Sequence, residues 1–524
     1  MPIPIMTARP LVVVVTACLL VVGGCSGIGG TDEGQTDGEY DTPDTDYTTQ
    51  PARIYLDEEG EDWQDLPVRG TDIGDADGLD IERLWLAHSE HYLFLRIELG
   101  NAVNLQEDNA LTLHLDADND PTTGKRALGI GAELSWTFGE RTGQVFRDGA
   151  SEEVSHADIG LSSLPTVTAE TFEIALDRSV EPGGAPLFSG DSLRIALSND
   201  GDRLPDEEGG LGYVLSETET TLEAPSIDRP GQSDLRLLSY NSVNNFEEDR
   251  SAIFAEDRQP SFRRILDAVG PDVIAFQEVY DQSASDVNSI EQDLGLSDTW
   301  NWQKRGRDLV LGSRYPILDA HTIPGYEDYE SGAFLLDTED VLGSPLVVVN
   351  MHPPCCNYGP EEGEPSSNAQ RQQVVDGVLA FLRDLKQGEG PFGVAPDTPI
   401  AILGDMNFVG DAQQPHSLRT GGIINTDRFG SPAAPDWDGS SLLDTKPQQV
   451  ATPMHTTWVD ASSSFPPGRL DYAYVTDHVL EVVHEFVLYT PALSEETRGT
   501  YNLQAQDTKV ASDHLPVVID VAPR

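Results

Sequence analysis

Ile400-Ala-Ile-Leu-Gly-Asp-Met-Asn407 is the most informative stretch of this sequence. Its first four residues form an apolar run that predicts a buried strand. The polar residues Asp405 and Asn407 follow directly after a glycine, so the buried run ends in side chains that can do chemistry. Loops beyond strand ends are common places for binding and catalytic residues, and the stretch therefore marks a candidate site.

The same pattern recurs in three other apolar runs of the C-terminal half, which end in Asn241, Glu278 and His352. Strands packed side by side would bring such ends together along one edge of a sheet. Two further segments contribute polar residues near the C-terminus. The predicted cluster comprises Asn241, Glu278, His352, Asp405 with Asn407, Asp471, and Asp513 with His514.

Helical patterns lie between these strands. Residues 260–269 end at Gly270, and residues 369–385 place apolar side chains at helical spacing. Strands mixed with helices indicate a layered α/β domain, which we place at residues 234–524. A segment rich in proline and small polar residues, 224–233, reads as the linker before it.

Residues 52–223 show a β pattern, with short stretches that alternate apolar and polar residues between Gly/Asp/Asn-rich turns. This pattern predicts an all-β sandwich domain. A glycan site on such a domain would need exposed aromatic side chains, and Trp63, Trp85 and Trp136 are the candidates; each of them also fits a place in the core.

An acidic loop in this domain carries Asp116, Asp118 and Asp120, which alternate as hard oxygen ligands do in calcium loops. The loop departs from the EF-hand pattern because Pro121 replaces the turn glycine and Ala127 stands where the last glutamate belongs. A calcium site and a simple acidic turn are both open readings.

The N-terminus has the features of an export signal, with an apolar run at residues 11–22 that is short for a membrane span. Its Val-Gly-Gly-Cys ending resembles a bacterial lipobox, which would make Cys25 the lipid-attached first residue of the mature chain. An ordinary cleaved signal over residues 1–25 is the alternative. We expect an extracellular protein or a membrane-anchored lipoprotein of a bacterial-type envelope, with residues 26–51 as a flexible acidic tether.

Cleavage and lipidation would leave only the neighbours Cys355 and Cys356. Adjacent cysteines can form a vicinal disulfide ring, stay as thiols or bind a soft metal, although no further thiolate or imidazole stands at zinc spacing. The sequence leaves these states open.

The chain is strongly acidic, with 90 Asp and Glu against 32 Lys and Arg and a formal net charge of -58. Such a surface repels polyanions and anionic membranes, which disfavours tight nonspecific DNA binding. It also suits a protein that works in high salt, where charges are screened. The best candidate for a nucleic-acid contact is the short segment 300–307, which combines basic and aromatic residues and could equally be a solvated edge.

The six polar-ended segments, in this order and spanning almost the whole second domain, resemble the signature blocks of the endonuclease/exonuclease/phosphatase family. The motifs Gly404-Asp405-Met-Asn407 and Ser512-Asp513-His514 carry most of this resemblance. It implies a four-layer α/β sandwich, two packed sheets flanked by helices, for the C-terminal catalytic domain. The N-terminal domain resembles DOMON-like or family-nine carbohydrate-binding sandwiches.

The resemblance also implies roles for the residues. Glu278 would be the main ligand of Mg²⁺ or Mn²⁺, supported by Asn241 and Asp513. His514 would act as general base or phosphate contact, oriented by Asp471. Asp405 would position or activate water, Asn407 would hold the phosphate, and His352 would assist the phosphate or the leaving group.

We therefore expect an exported, metal-dependent phosphoesterase, with a phosphodiester as substrate and extracellular nucleic acid as the leading candidate. A sphingomyelinase-like enzyme or a sugar-phosphate phosphatase is the alternative. A calcium- or glycan-binding surface protein on an inactive hydrolase scaffold is the alternative of another class.

Overall fold

The computed structural model describes residues 52–216, 222–245, 250–297, 299–356 and 364–524. The expected export signal with Cys25 and the expected tether lie outside the described residues. Among the helices that are described, none is both long enough and apolar enough to cross a membrane.

Although residues 84–88, 93–95 and 172–176 are buried on both faces of their sheet and break the predicted alternation, the N-terminal domain consists of strands. They are β1 (Gly70–Thr71), β2 (Ile81–His88), β3 (Tyr92–Val103), β4 (Thr112–Asp116), β5 (Lys125–Ala127), β6 (Ile130–Ala132), β7 (Leu134–Thr137), β8 (Thr142–Arg147), β9 (Ala150–Val154), β10 (Leu161–Leu164), β11 (Ala169–Asp177), β12 (Ser192–Asn199), β13 (Asp202–Leu204) and β14 (Leu211–Val214).

Two sheets of this domain pack face to face. One has the order β1-β2-β3-β11-β10, and the other runs β13-β12-β4-β7-β8-β9 with β14 beside β12. Leu95 and Ile174 from the first sheet meet Leu113 and Ile195 from the second in one apolar core. The predicted all-β sandwich is therefore present.

The three tryptophans considered for a glycan site are buried, with exposed fractions of 1% for Trp63, 8% for Trp85 and 0% for Trp136. Trp136 lies in the core between the sheets. Trp85 is also covered by the guanidinium of Arg96, 4.7 Å from the ring centroid. These side chains therefore do not form an exposed aromatic platform.

The C-terminal domain alternates strands and helices. Its strands are β15 (Leu235–Asn241), β16 (Asn244–Asn245), β17 (Arg250–Ser251), β18 (Val273–Gln277), β19 (Asn301–Arg305), β20 (Leu309–Ser313), β21 (Ile317–Tyr326), β22 (Tyr329–Leu336), β23 (Leu346–Met351), β24 (Ile400–Asp405), β25 (Leu443–Thr445), β26 (Asp471–Val475), β27 (Leu480–Val487) and β28 (Val517–Pro523). Its helices are α1 (Gln259–Val269), α2 (Ala284–Ile290), α3 (Glu339–Leu342), α4 (Ser367–Lys386), α5 (Gln413–Thr420), α6 (Thr426–Phe429), α7 (Glu495–Thr500) and α8 (Asp507–Ala511).

Two six-stranded sheets form the centre of this domain, in the orders β19-β20-β18-β15-β28-β27 and β21-β22-β23-β24-β26-β25. Leu237 and Ile519 of the first sheet pack against Val348 and Leu403 of the second. Apolar side chains of α1 cover the outer face of the first sheet, and those of α4 cover the second. This arrangement is the expected four-layer α/β sandwich.

The two predicted long helices are present, with ends that their sequences explain. Helix α1 ends at Gly270, which adopts a left-handed φ of 60° and donates its amide to Leu266 O at 2.8 Å. Helix α4 begins after Ser366, whose side chain accepts from the amide of Ala369 at 3.3 Å.

Parallel pairing places the key strand ends at one edge of each sheet. Strand β15 runs parallel to β18, and β23 runs parallel to β24. Gly404 is required in β24 because a Cβ there would lie only 2.0 Å from Met351 O of the neighbouring strand, and its φ is +148°. Close packing of β23 and β24 thus determines the position of the end of β24, which carries Asp405.

The two domains contact each other within one compact unit. Leu56 forms a parallel bridge with Met454 of the C-terminal domain. The carboxylate of Glu58 pairs with Arg469 at 3.1 Å, and both side chains are largely buried. The sandwich domain therefore contacts the segment that leads into β26.

Candidate active site

The structure brings the strand-end residues of the sequence pattern to one place. They come from the end of β15, the residue after β18, the residue after β23, the end of β24, the start of β26 and the loop before β28. In that order, the residues are Asn241, Glu278, His352, Asp405, Asp471 and His514.

Asp405 stands at the centre of this cluster and is only 1% exposed. Its Oδ2 lies 3.5 Å from Nε2 of both His352 and His514. The same oxygen accepts from Asn241 Nδ2 at 2.9 Å and from Asn407 Nδ2 at 3.2 Å. Burial raises the pKa of Asp405 to about 6, although the two histidines oppose this rise.

The ring of His514 is oriented by Asp471, whose Oδ2 lies 2.8 Å from its Nδ1. Asp471 is in turn held by Thr457, whose hydroxyl oxygen accepts from the Asp471 amide at 2.9 Å. Burial lowers the pKa of His514, but the carboxylates of Asp471 and Asp405 outweigh it and hold that pKa well above its usual value. The predicted His-Asp pair is therefore assembled, with Nε2 facing Asp405.

His352 has an aspartate of its own, which sequence reasoning missed. Its Nδ1 lies 2.5 Å from Oδ2 of Asp308, and the same oxygen accepts from the Glu278 amide at 3.1 Å. Burial lowers the pKa of His352, but Asp308 outweighs it and raises the pKa to about 9. Asp308 precedes β20 rather than following a strand, so the strand-end pattern did not include it.

Glu278 offers a carboxylate for a divalent metal beside Asp405. One ligand atom each from Glu278, His352 and Asp405 lies within 4.8 Å of the others. Glu278 adopts a left-handed φ of 63°, and its Oε2 accepts from the amide of Asn244 at 2.7 Å. Two carboxylates facing one point are the hard oxygen ligands that Mg²⁺ and Mn²⁺ prefer, so the residues present fit such an ion.

Asn241 meets the same carboxylates through its amide nitrogen. Its Nδ2 donates to Glu278 Oε1 at 3.1 Å and to Asp405 Oδ2, while its Oδ1 accepts from the amide of Val243 at 3.0 Å. For Asn241 to bind a metal through its side-chain oxygen, the amide group must flip by 180°, which exchanges the positions of Oδ1 and Nδ2.

Asp513 lies apart from the Glu278 group. Its Oδ2 accepts from the indole nitrogen of Trp458 at 3.0 Å, and it belongs to neither of the two groups of close ligand atoms around Asp405. Asp513 is thus adjacent to His514 in sequence, but its carboxylate binds the Trp458 indole and does not face Glu278.

Asn407 is hydrogen-bonded to Asp405 and has a left-handed φ of 49°. Its Nδ2 donates to Asp405 and also to the carbonyl oxygen of Pro353 at 3.1 Å. Shortly after Pro353, Cys355 and Cys356 form a vicinal disulfide. Among the three states left open by the sequence, the structure has the ring.

The basic and aromatic segment 300–307 does not offer stacking platforms for bases. Trp300 and Trp302 are 5% and 9% exposed and pack in the core beneath α1. Lys304 donates to the carbonyl oxygens of Val279 and Gln282 at 2.6 and 2.8 Å, which ties down the loop after Glu278. Through Lys304, the segment therefore supports the loop that follows Glu278.

The acidic loop of the sandwich domain is only partly arranged as the sequence predicts. Ligand atoms of Asp116 and Asp118 lie within 4.8 Å of each other and of Glu133. Asp120 instead accepts from the amide and hydroxyl of Thr122 at 2.9 and 2.7 Å, because the turn folds its carboxylate onto the following residues. Glu133 follows β6 and was missed because it lies beyond the loop in sequence.

Comparison with solved structures finds similar proteins at low identity. D. rerio TDP2 complexed with a single-strand DNA product is 13% identical, covers 55% of this chain and 98% of its own, and has a TM-score of 0.34. Sphingomyelinase C from Streptomyces griseocarneus is 15% identical, with 55% and 98% covered and a TM-score of 0.34. The mannosyl-6-phosphatase of Bacteroides thetaiotaomicron VPI-5482 is 15% identical, the match covers 55% of this chain and 99% of that protein, and the TM-score is 0.32.

Scores at this level do not discriminate between substrates. The comparison with curated proteins gives no match. The comparison with protein families gives a match: residues 244–514 fit the model of the Endonuclease/Exonuclease/phosphatase family. This match covers more than half of the 524 residues and spans the polar cluster from Glu278 to His514. The chain belongs to the Endonuclease/Exonuclease/phosphatase family and is a phosphoester hydrolase.

Proposed function

We propose that this hydrolase is an exported, divalent-metal-dependent phosphodiesterase, with nucleic acid as its leading substrate class. The observation that carries the proposal is the pair of buried histidines, His352 and His514, which both point Nε2 at Asp405. Each is oriented by its own aspartate, Asp308 or Asp471.

Two oriented imidazoles suit a reaction that needs one proton removed and another supplied. Hydrolysis of a diester requires a nucleophilic water and protonation of an alkoxide leaving group. His514, held by Asp471, acts as general base or phosphate contact, and Asp405 positions the attacking water. His352, whose Nε2 is as close to Asp405 as that of His514, assists the phosphate or the leaving oxygen.

Glu278 is the main ligand for Mg²⁺ or Mn²⁺ in this proposal, with support from Asn241 and Asp513. A bound ion would polarise the phosphoryl oxygen and stabilise negative charge as the ester bond breaks. The carboxylates of Glu278 and Asp405 meet within 4.8 Å, which supports this assignment. The hydrogen bond of Asp513 to Trp458 gives less support to direct metal binding by Asp513, and we propose that Asp513 supports the metal site without binding the ion.

Asn407 would hold the phosphate group of the substrate through its side-chain amide. Both hydrogens of its amide are engaged, with Asp405 Oδ2 and Pro353 O. Its contact with a phosphoryl oxygen must therefore replace one of these two bonds. The bond to Asp405, at 3.2 Å, is the longer of the two.

Recognition of nucleic acid by this protein has to work against a strongly negative net charge. The net charge of -58 opposes nonspecific attraction of a polyanion, and the tryptophans of segment 300–307 are buried. Short or single-stranded diesters and high salt, which screens the repulsion, suit such a surface best. A sphingomyelinase-like activity or sugar-phosphate hydrolysis is the alternative, because neither needs a basic groove.

The binding-only alternative is disfavoured by the geometry. A scaffold without catalysis has no need for two buried histidines with partner aspartates around Asp405, since burying charged groups costs desolvation free energy even when they are paired. For the sandwich domain we keep a calcium ion at Asp116 and Asp118 as a proposal. Glu133 supports it, because this 7% exposed side chain keeps Oε1 without a hydrogen-bond partner.

Export and lipidation at Cys25 belong to the same proposal, as does an extracellular or membrane-anchored location. Expression in a bacterial host with radiolabelled palmitate should label the wild-type chain and leave Cys25→Ser unlabelled. An unlabelled wild-type chain found in the medium would favour the ordinary signal peptide instead.

A substrate panel tests the proposed activity. Purified protein with Mg²⁺ is assayed on single-stranded DNA, RNA, sphingomyelin and a sugar phosphate, beside Glu278→Gln and the exposed control Glu339→Gln. We expect hydrolysis of nucleic acid that Glu278→Gln abolishes and Glu339→Gln keeps. Turnover of sphingomyelin or the sugar phosphate alone would replace the substrate class, and full activity of folded Glu278→Gln would overturn the metal assignment.

A further inference from the structure

The loop at residues 165–168, which joins β10 to β11 of the sandwich domain, packs against the catalytic domain behind the active site. We call it the interdomain loop. Its Val167 is 9% exposed and lies in the apolar cluster under α4 together with Met406 and Phe408 of the catalytic domain. A side chain of one domain is therefore part of the core of the other.

The contact falls where two strands of the active site separate. Asp405 and Asp471 are direct partners in the β24–β26 pairing. Beyond them, the amide of Met406 still donates to Leu470 O at 2.8 Å. The left-handed conformation of Asn407 then turns the chain away, so the regular ladder ends at this point.

Past this end, two backbone carbonyls face the same gap, those of Phe408 and Arg469. Two carbonyl oxygens cannot bond to each other, and a buried acceptor needs a donor. Thr166 of the interdomain loop supplies it: its single hydroxyl hydrogen is donated mainly to Phe408 O at 2.7 Å and is shared with Arg469 O at 3.3 Å. The donor that closes the gap thus comes from the other domain.

We propose that Thr166 is a positioning residue of the active site, which fixes the spacing between the Asn407 turn and the segment before Asp471. Phe408 directly follows Asn407, and Arg469 precedes Asp471 by two residues. The hydroxyl therefore acts on the segment that follows Asp405 and on the segment that precedes Asp471, and not on the substrate itself. This inference rests on the proposed function, because the site it serves is the proposed hydrolytic site.

Neighbouring contacts fit this role. Thr168 donates its amide to Gly410 O at 2.8 Å, and its hydroxyl oxygen accepts from the amide of Ala412 at 3.1 Å. These bonds dock the loop farther along the same segment, away from Asn407. Thr168 is therefore a matched control, since it is a threonine in the same loop with a bond to the same segment.

The test compares Thr166→Val, Thr166→Ser and Thr168→Val in the full chain with Mg²⁺. Valine keeps the shape of threonine without its donor, and serine keeps the donor. We expect Thr166→Val to lower kcat by about 10- to 100-fold with little change in KM, because misplaced groups lose transition-state contacts first. Thr166→Ser should restore most of kcat, and Thr168→Val should retain it.

Hydrogen exchange gives a second readout that needs no substrate. The Asn407 amide donates to Asp405 Oδ1 at 3.0 Å, so a looser turn should speed exchange in a peptide over residues 405–410. We expect faster exchange there in Thr166→Val and not in Thr168→Val. Melting temperatures of all variants show whether each remains folded.

Wild-type kcat and wild-type exchange in Thr166→Val would overturn the inference. Equal losses in Thr166→Val and Thr168→Val would also overturn it, because the hydroxyl would then act only by docking the domains. If the wild-type chain hydrolyses no phosphoester at all, the proposed function fails. The exchange result alone then decides whether Thr166 positions the turn.

Discussion

At the scale of single residues, Asp308 joins two parts of the site through one carboxylate oxygen. It accepts from the Glu278 amide and from His352 Nδ1. One residue thus orients a proposed proton donor and fixes the backbone of the proposed metal ligand. Such supporting carboxylates usually matter nearly as much as the groups they orient.

We predict that Asp308→Asn lowers kcat by about 10- to 100-fold, since asparagine keeps the shape but loses the charge that orients His352. Steady-state hydrolysis of a chromogenic phosphodiester with Mg²⁺ measures the loss. The exposed Asp340→Asn is the control and should behave as wild type. Unchanged kcat in folded Asp308→Asn would remove His352 from the account.

The strand-end residues could be predicted from the sequence because an apolar run and the polar residue after it are local features. Asp405 and Glu278 were found in this way, and the structure places both in the cluster. Asp308 and Thr166 could not be found, because their roles depend on partners far along the chain. Glu133 escaped for the same reason, since it joins Asp116 only after β6 has folded back.

At the scale of elements, β15 and β28 are joined at their outer end by a buried ion pair. Asp520 accepts from Arg236 Nε and Nη2 at 2.9 and 2.7 Å, from Ser233 at 2.8 Å and from His484 at 3.1 Å. The Arg236 side chain is only 2% exposed. Removing the carboxylate would leave a buried guanidinium without its charge partner.

We predict that Asp520→Asn lowers the free energy of unfolding at pH 7 by about 3–5 kcal/mol, the usual effect of breaking a buried pair. Urea denaturation measures the difference. The surface pair of Asp477 with Arg524 provides the control, because Asp477→Asn should cost about 1 kcal/mol or less. A loss equal to that of the control would show that the pair does not join the strands.

The same pair predicts a pH dependence. Burial raises the pKa of Asp520, but the hydrogen bonds from Arg236 and His484 outweigh it and lower the pKa to about 2, against an ordinary value of 3.8. A carboxyl with a lowered folded pKa stabilises the fold above its ordinary pKa and loses this effect as the pH falls toward 2. The gap between wild type and Asp520→Asn should therefore narrow below about pH 4. A gap that widens there would contradict the assignment.

Between the sheets, a polar link lies directly beneath the site. Gln277 Nε2 donates to Asn350 Oδ1 at 2.8 Å, and Asn350 Nδ2 donates to Phe276 O at 3.0 Å. Gln277 ends β18 directly before Glu278, and Asn350 is the penultimate residue of β23, two positions before His352. The apolar runs predicted both strands, but the pairing across two sheets depends on tertiary packing and could not be read from either run.

At the scale of the whole molecule, the net charge of -58 sets the response to salt. Like charges on one surface destabilise the folded state, and salt shortens their range from about 10 Å at 0.1 M to about 3 Å at 1 M. We predict that the melting temperature rises between 0.05 and 2 M KCl, by about 2–4 °C for each kcal/mol of relieved repulsion. Scans with EDTA present separate screening from metal binding, and a flat or falling curve would contradict adaptation to salt.

The central claim is that the cluster around Asp405 hydrolyses phosphodiesters with a divalent metal. Its most direct test is hydrolysis of bis-p-nitrophenyl phosphate against p-nitrophenyl phosphate by wild type, His514→Ala and the exposed control His416→Ala, at low and molar salt. The account predicts that wild type and His416→Ala cleave the diester with Mg²⁺, and that EDTA or His514→Ala abolishes this activity. Cleavage that survives EDTA, or folded His514→Ala that stays as active as wild type, would contradict it.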